Sequence, residues 1–306
     1  MRDAVARAIT EAARTRDDVI LVVADISPAA SLKTFLDENP TRIVDVGVSE
    51  QAMIGMAAGL AMTGLRPFAY TIAPFALYRP LEQIRVDLAY QDLPVVVIGV
   101  GGGLSYSALG ATHHTMEDVA IAGALPNMTV IAPCDPLETQ AAVTGSFDLT
   151  GPAYLRLGKS GEPDLTAAAT EPFVLGRIRQ VRAGSGTALV GYGPILELGL
   201  RAADQASGRG VSPSVYSAHT VKPLDLERVD TILSTYDRVV VLEEHVHRGG
   251  LGMQVQARAN EIGSTASVVS LHLGDVFLHT YGSKDDLLEA HGITLESVTD
   301  ALIGRR

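Results

Sequence analysis

The chain has 306 residues with a formal net charge of −11, and 47 % of them are hydrophobic. This composition suits about two domains with substantial cores, and the acidic balance argues against nucleic acid and anionic membranes as partners. Cys134 is the only cysteine, which excludes an intrachain disulfide; with no apolar segment long enough to span a bilayer, we expect a cytoplasmic protein.

Strand-like and helix-like segments alternate along the first half of the chain. Residues 2–16 have helical spacing, one later helix should begin at Ser49 and stop at Gly64, and another of about 15 residues should end at Tyr90. Between them, short apolar runs are typical of buried strands: 19–25, 42–47, 66–71, 93–100, 128–133 and 152–157. This alternation predicts an α/β fold with a parallel sheet, in which ligands bind beyond the strand ends.

A segment without periodicity then separates two parts of the chain. We assign residues 1–160 to a first domain, 161–172 to a linker rich in Gly, Pro and Ala, and 173–306 to a smaller α/β domain. Four further runs predict the strands of this second domain: 187–193, 212–218, 237–244 and 266–273.

Glu50 opens a helix that consists almost entirely of small and apolar residues. A plain interpretation is a first-turn glutamate that the helix dipole stabilises by about 0.3–1 kcal/mol. However, Gly55 and Gly59 would let another backbone approach closely, and a mid-helix glycine costs about 1 kcal/mol relative to alanine unless such packing offsets it. A carboxylate at the edge of such packing is poorly solvated, so its pKa rises unless a partner shares its proton. Glu50 is therefore a catalytic candidate.

The histidines leave several interpretations open. His113 and His114 lie on a small-residue loop, where they could be structural, ligate a metal, or bind a hydroxyl and transfer a proton. His245 and His247, beside two glutamates, could also ligate a metal. Neither HExxH nor CxxC occurs, so a metal site is disfavoured.

Two basic residues and the cysteine also need an interpretation. Arg156 and Lys159 lie three residues apart at a strand end, where they could clamp a phosphate or form a solvated rim.

Cys134 follows a strand, and a small buried thiol is the favoured interpretation.

The order of the motifs resembles the transketolase family. “DVGVSEQAMIGMAAGLAMTG” (45–64), “FALYRPLEQIR” (75–85), the loop ending in “GATHHTMED” (110–118) and “GPAYLRLGKS” (151–160) are similar to its pyrimidine-binding domain. “HTVKPLD” (219–225) and “VVVLEEHVHRGGLG” (239–252) are similar to its C-terminal domain. The resemblance covers nearly the whole chain.

This resemblance implies a thiamine diphosphate cofactor and assigns residues to it. Glu50 would hydrogen-bond N1′ of the aminopyrimidine and thereby activate the cofactor, and Phe75 would stack on the same ring. Tyr78 and Ile72 would line the pocket, Ile72 where a second aromatic is usual. Asp25 matches an aspartate near the cofactor across an interface between subunits.

The resemblance also implies substrate contacts. His113, with His114 beside it, would contact the substrate oxygen or the reaction intermediate, and Arg156 is a weaker match to a phosphate-binding arginine. Leu109 replaces an aspartate that recognises a substrate hydroxyl. Because leucine accepts no hydrogen bond, and an unpartnered buried hydroxyl costs roughly 1–3 kcal/mol, we expect a less hydroxylated or unusual substrate.

One family motif does not occur in this chain. Gly-Asp-Gly followed by Asn about 25–30 residues later would supply oxygen ligands to the Mg²⁺ that bridges the cofactor diphosphate. The chain is therefore expected to be the C-terminal subunit of a split transketolase, active with an N-terminal subunit that carries GDG-x(25–30)-N, in an α2β2 heterotetramer. No metal ligands are expected on this chain.

The leading hypothesis is transfer of a two-carbon ketol unit from a ketose-like donor to an aldehyde. A second keeps the cofactor in a decarboxylating 2-oxo acid enzyme, similar to deoxyxylulose-phosphate synthase or to the β subunit of a dehydrogenase first component. A third is a scaffold or regulatory paralogue that has lost catalysis, with the altered loop at 107–114 as its trace.

Overall fold

The computed structural model describes residues 1–24 and 30–305. Its larger sheet contains all six strands predicted for the first half of the chain, and these six pair in parallel. The spatial order of the seven-stranded sheet is β10-β5-β6-β4-β3-β1-β2. The bounds of the first six strands are β1 (Val19–Val23), β2 (Ile43–Asp45), β3 (Arg66–Ile72), β4 (Val96–Val100), β5 (Thr129–Ile131) and β6 (Ala153–Leu157).

Helices lie between these strands, as the alternation predicts. They are α1 (Arg2–Ala13), α2 (Lys33–Glu38), α3 (Glu50–Met62), α4 (Ala73–Leu77), α5 (Leu81–Gln83), α6 (Asp118–Ala124) and α7 (Pro136–Ser146). The prediction of one continuous helix ending at Tyr90 is wrong, because the segment breaks into α4, α5 and a π-helical stretch, Ile84–Ala89. Pro80 stands at the break, and its ring supplies no backbone N–H to continue the helix.

The smaller sheet is built from the second half of the chain, in the order β12-β11-β8-β9-β7. Its strands are β7 (Arg179–Arg182), β8 (Thr187–Gly191), β9 (Ser214–Ser217), β11 (Arg238–Val246) and β12 (Ser267–Leu273). The helices around it are α8 (Leu196–Gly208), α9 (Leu226–Thr235), α10 (Leu251–Glu261), α11 (Lys284–Ala290) and α12 (Leu295–Leu302). The sequence did not predict β7, which pairs antiparallel with β9 at the sheet edge.

Strand β10 (Thr220–Lys222) links the two halves of the molecule. It comes from the second half of the chain but pairs antiparallel with β5 at the edge of the larger sheet. Just before it, the carbonyl of His219 accepts a hydrogen bond from the amide of Ala132 at 2.7 Å. The “HTVKPLD” segment therefore fastens the second half of the chain to the first, and the boundary at 161–172 stays a prediction.

One face of α3 is exposed. Gly55, Met56, Gly59 and Met62 lie on it, and a Cβ added at either glycine would meet nothing within 4 Å. The other face, with Met53, Ile54 and Ala57, is fully buried in the core. In the described part of the chain, no helix combines the length and hydrophobicity that crossing a membrane requires.

Candidate functional site

Glu50 is the first residue of α3, which follows the carboxyl end of β2. Ser49 takes the N-cap position as predicted, but its side chain makes no capping hydrogen bond. The side chain of Glu50 is only 5 % exposed. Its two carboxylate oxygens accept hydrogen bonds from Nη1 of Arg79 at 3.0 and 3.1 Å. A buried carboxylate thus lies at the edge of the sheet, with a single cation against it.

Phe75 stands beside this pair on α4. Its ring is half-buried, and the Cζ of Arg79 lies 3.8 Å from the ring centroid. Arg79 follows Phe75 by four residues, just past the end of α4, and its guanidinium lies over the ring. The Arg79 side chain, itself 47 % exposed, therefore covers both the carboxylate and the aromatic face.

The small-residue loop after β4 brings His113 to the same place. The His113 ring is in edge-on contact with the Phe75 ring, with the centroids 5.2 Å apart. The Thr112 hydroxyl lies 2.9 Å from Nδ1 of His113. Burial lowers the pKa of His113, and His114 and Arg79 lower it further, so the ring is neutral at neutral pH. The structure thus brings Glu50, Phe75 and His113 together.

Tyr78 is fixed one turn beyond Phe75. Its hydroxyl donates a hydrogen bond to Oε2 of Glu117 at 2.8 Å. Burial is the main reason why the pKa of Tyr78 is raised, and the acidic side chains of Asp118 and Glu117 raise it further. Tyr78 is therefore a neutral, half-buried wall residue whose hydroxyl is already engaged.

The expected phosphate clamp at Arg156 needs a correction. Arg156 is 2 % exposed, and its Nε donates to Asp118 at 2.8 Å. Its Nη2 donates to the carbonyls of Thr115 and Glu244 at 3.2 and 2.9 Å. Burial alone would lower the pKa of Arg156, but the charge of Asp118 raises it. Arg156 is thus a charged residue of the interior, and the interpretation that it faces a substrate is wrong.

Lys159, two residues past the end of β6, is exposed instead. Its Nζ lies 5.0 Å above the Tyr106 ring, and that ring lies 5.9 Å from the His113 ring. An exposed cation therefore stands at the rim of the site. Of the two residues of the expected phosphate clamp, Arg156 and Lys159, only Lys159 is accessible to a ligand.

The structure also describes Ile72, Leu109 and His114. Ile72 is half-buried and precedes α4, and Leu109, in a 3₁₀ turn on the loop, is 51 % exposed. His114 is buried, with its Nε2 3.4 Å from the Ser107 carbonyl. Its placement does not bring it to Phe75. Asp25 lies outside the described residues.

The alternative metal sites have no support in the described residues. Across residues 1–24 and 30–305, no group of three or more His, Cys, Asp or Glu side chains could hold a metal ion. Glu243 instead accepts hydrogen bonds from the amides of Leu251 and Gly252, and His245 Nε2 accepts one from the amide of Ala120 at 3.2 Å. Cys134 is fully buried, as expected.

Arg79 is a site residue that the sequence did not predict. The spacing Phe75-x-x-x-Arg79 on a predicted helix was the available signal, because it places a guanidinium over an aromatic ring. What the spacing did not reveal is the contact with Glu50, which lies in a different element and is distant in sequence.

Two family models match most of the chain. Residues 1–162 match “Transketolase, pyrimidine binding domain”, and residues 176–298 match “Transketolase, C-terminal domain”. A subunit of the apulose-4-phosphate transketolase of Phocaeicola vulgatus is 30 % identical over 95 % of this chain and 92 % of its own length. “6-deoxy-6-sulfo-D-fructose transketolase subunit SqwH” of a Clostridium species is 34 % identical over 98 % and 92 %.

Solved structures agree with this placement. One described as “Split gene transketolase, inactive beta4 tetramer” superposes with a TM-score of 0.88 at 31 % identity, covering 99 % of this chain and 96 % of that one. Transketolase from Campylobacter jejuni, at 17 % identity and a TM-score of 0.79, shares the fold over 46 % of its length. The chain therefore belongs to the transketolase family and carries its pyrimidine-binding and C-terminal domains.

Proposed function

We propose that this chain is one subunit of a split transketolase that moves a two-carbon ketol unit from a ketose-like donor to an aldehyde. The observation that carries the proposal is the convergence of a buried carboxylate, an aromatic face and a neutral imidazole: Glu50, Phe75 and His113. Two relatives that the chain matches over most of their length are named as transketolase subunits.

The residues present fit the aminopyrimidine end of thiamine diphosphate. Glu50 is an almost fully buried carboxylate that can share a proton with a ring nitrogen, and Phe75 offers an aromatic face for stacking. When bound, thiamine diphosphate supplies the carbon nucleophile and the electron sink that two-carbon transfer needs. Glu50 holds the proton at N1′, Phe75 orients the ring, and Tyr78 and Ile72 narrow the pocket around it.

His113 then acts on the substrate. Its Nδ1 is engaged by Thr112 at 2.9 Å, which assigns Nε2 to a substrate oxygen. Because the ring is neutral at neutral pH, it can either accept or donate a proton there. Lys159, exposed at the rim, supplies the cation for an anionic substrate group, in place of Arg156.

A separate subunit completes the site. Because the sequence of this chain does not contain GDG-x(25–30)-N, we assign Mg²⁺ and the cofactor diphosphate to an N-terminal subunit that carries this motif, in an α2β2 assembly. The relatives named as individual subunits of apulose-4-phosphate transketolases support such a partner, and the exposed glycine face of α3 offers a surface for close packing. A structural neighbour is described as an inactive beta4 tetramer, which supports activity only with the partner.

A decarboxylating reaction is the second candidate. “1-deoxy-D-xylulose-5-phosphate synthase” of Carboxydothermus hydrogenoformans is 30 % identical over 95 % of this chain, although the chain spans only 46 % of that protein. Leu109 is exposed on the loop at 101–114. Its side chain offers no hydrogen-bond acceptor, which favours a substrate with fewer hydroxyls. Release of CO₂ from pyruvate by the reconstituted complex would favour this candidate.

The test is reconstitution with the chain that carries GDG-x(25–30)-N. With hydroxypyruvate as donor, the bond between its carboxyl carbon and C2 breaks and CO₂ leaves. C2 then bonds to the aldehyde carbon and the aldehyde oxygen takes up a proton from the medium, so a ketose forms. We expect ketose formation, and Glu50→Gln should lower kcat/KM by about 10²-fold or more with assembly unchanged on a sizing column. Glu82→Gln, which alters an exposed side chain, is the control. Near-normal turnover in Glu50→Gln would reject the proposed role.

A further inference from the structure

A segment of the C-terminal half runs past the candidate site, and we name residues 274–283 the strap. It has no regular secondary structure, yet both ends are held. At one end the Gly274 amide donates to Nδ1 of His291 at 2.9 Å. At the other end Ser283 caps α11, and Lys284 pairs with Glu244 at 2.7 Å. Between these anchors, Phe277 and Tyr281 are 65 % and 72 % exposed.

The two exposed aromatic side chains lie beside the turn that carries His113. A Cβ added at Gly110 would meet Cε1 of Tyr281 at 3.1 Å, so the Tyr281 ring packs against that glycine. Phe277 lines a cavity of about 310 Å³ together with Ala111, His114 and Tyr78. The strap therefore borders the loop at 101–114 at two points, Gly110 and the stretch from Ala111 to His114. Its two aromatic residues form part of one surface and are not scattered positions.

One carboxylate fixes the strap and the loop together. Oε1 of Glu244 accepts a hydrogen bond from the Leu104 amide at 2.6 Å, while its Oε2 pairs with Lys284. Glu244 is 1 % exposed, and Gly103 has φ +66° with no room for a Cβ beside the Glu244 carboxylate. The start of α11, where the strap ends, is thus held against Leu104 of the loop through Glu244.

The surface that this arrangement presents is apolar. The Tyr78 hydroxyl is engaged by Glu117, and His114 Nε2 faces the Ser107 carbonyl. Leu109, on the same loop, is exposed and offers no hydrogen bond. What remains for a ligand is mostly apolar: the Phe277 ring, the Tyr281 ring with its hydroxyl, and the side chains of Ala111, Met116 and Ile121. Such a surface favours carbon over hydroxyl.

We infer that the strap is the outer wall of the substrate site, where Phe277 and Tyr281 select a hydroxyl-poor aldehyde or ketose by contact with its carbon chain. The inference rests on the proposed ketol transfer and adds a specificity element from the C-terminal half. Where the family has an aspartate that recognises a substrate hydroxyl, this chain has Leu109. Contact with the two aromatic side chains of the strap would then provide the selectivity.

Matched aldehydes test it in the reconstituted complex, with hydroxypyruvate as donor and propanal or D-glyceraldehyde as acceptor. Phe277→Ala and Tyr281→Ala should each lower kcat/KM for propanal by roughly fivefold, as expected for one lost aromatic contact, while D-glyceraldehyde changes by less than about twofold. The control is Val276→Ala, which removes a 57 % exposed strap side chain that lies near Gly274.

The outcomes separate this inference from the proposed function. If the unaltered complex forms no ketose from either aldehyde, ketol transfer fails and the strap inference fails with it. If the complex is active but both aldehydes lose rate equally in Phe277→Ala, or neither does, only the strap inference is overturned. Phe277→Leu, which keeps an apolar side chain, should retain part of the propanal preference. Unchanged melting temperatures would show that the variants are folded.

Discussion

Two arginine–carboxylate pairs in the larger α/β half have the same chemistry and opposite surroundings. Arg156 and Asp118 are 2 % and 0 % exposed, and backbone carbonyls take further hydrogen bonds from the guanidinium. In the second pair, Glu50 is 5 % exposed but Arg79 is 47 % exposed. The first pair is closed on all sides, whereas the second has one partner that can move into solvent.

This difference separates a structural pair from a replaceable one. Removing one member of a closed pair leaves a buried charge without compensation, which is strongly destabilising. Where one partner is half in water, the attraction is weakened by solvent and salt, so a ligand can take its place at small cost. The sequence offered Arg156 as a possible phosphate contact, with a solvated rim as the alternative, whereas the surroundings assign the exchangeable position to Arg79.

Arg156→Ala should give the largest effect, because it leaves Asp118 buried and unpaired. We expect the free energy of unfolding to fall by about 3–5 kcal/mol, measured by urea denaturation of the chain. Lys33→Ala, in a pair with Asp37 in which both side chains are exposed, is the control and should change it far less. Equal losses in the two variants would contradict the contrast between closed and open pairs.

A buried histidine extends the comparison of closed and open surroundings to the pH dependence of stability. His219 is fully buried and stacks on Phe173 at 4.0 Å. Burial and the charge of Arg179 lower its pKa from 6.5 to about 3. Below pH 6.5, His219 is therefore protonated in the unfolded chain but stays neutral in the folded chain. Stability from this group is full above pH 6.5 and is lost as the pH falls towards 3, at about 1.4 kcal/mol per unit.

Denaturation at pH 7 and pH 5 measures this loss, which should be about 2 kcal/mol larger in the unaltered chain than in His219→Gln. Glu243 acts in the opposite sense, because burial raises its pKa to about 7. Its stabilisation is therefore full below about pH 4.5 and is lost as the pH rises through 7. A Glu243→Gln background removes that opposing contribution. Identical pH slopes with and without His219 would contradict the assignment.

Much of this architecture follows from local sequence signals. The six parallel strands and the start of α3 at Glu50 were predicted from apolar runs, glycines and the residue type at Ser49, which are signals over a few residues, although the Ser49 side chain makes no capping hydrogen bond. The burial of Arg156 could not be predicted in this way, because every residue of β6 is buried and the pattern gives no outward face. Its partner Asp118 is 38 residues away.

Other features depended equally on distant contacts. Strand β10 forms only because β5 offers it an edge in the other half of the chain. The Arg79 contact with Glu50 joins the turn between α4 and α5 to the first residue of α3, two segments whose relative placement the sheet decides. Phe277 and Tyr281 belong to no recognisable sequence motif. Their proposed role in substrate selection depends on their position beside Gly110 and His114, which only the structure shows.

The open pair gives the smallest effect and the most direct test of the proposed cofactor site. The Arg79 guanidinium lies on the Phe75 face and on both Glu50 oxygens, the two surfaces that an aminopyrimidine would use. It must therefore leave before the ring binds. Losing an ion pair whose arginine is half in solvent, together with a cation–π contact, costs about 1 kcal/mol in all. Arg79→Ala should therefore bind thiamine diphosphate about fivefold more tightly in the assembled complex with Mg²⁺.

Titration calorimetry of the complex measures that affinity without turnover. Arg85→Ala, which alters an exposed residue on the next turns of the same segment, should leave it unchanged. Weaker binding in Arg79→Ala would mean that the guanidinium helps to hold the cofactor and is not displaced by it. In that case the contrast between the closed and the open pair would no longer separate structure from function. A tighter complex would instead identify Arg79 as a placeholder that keeps Glu50 paired until the ring arrives.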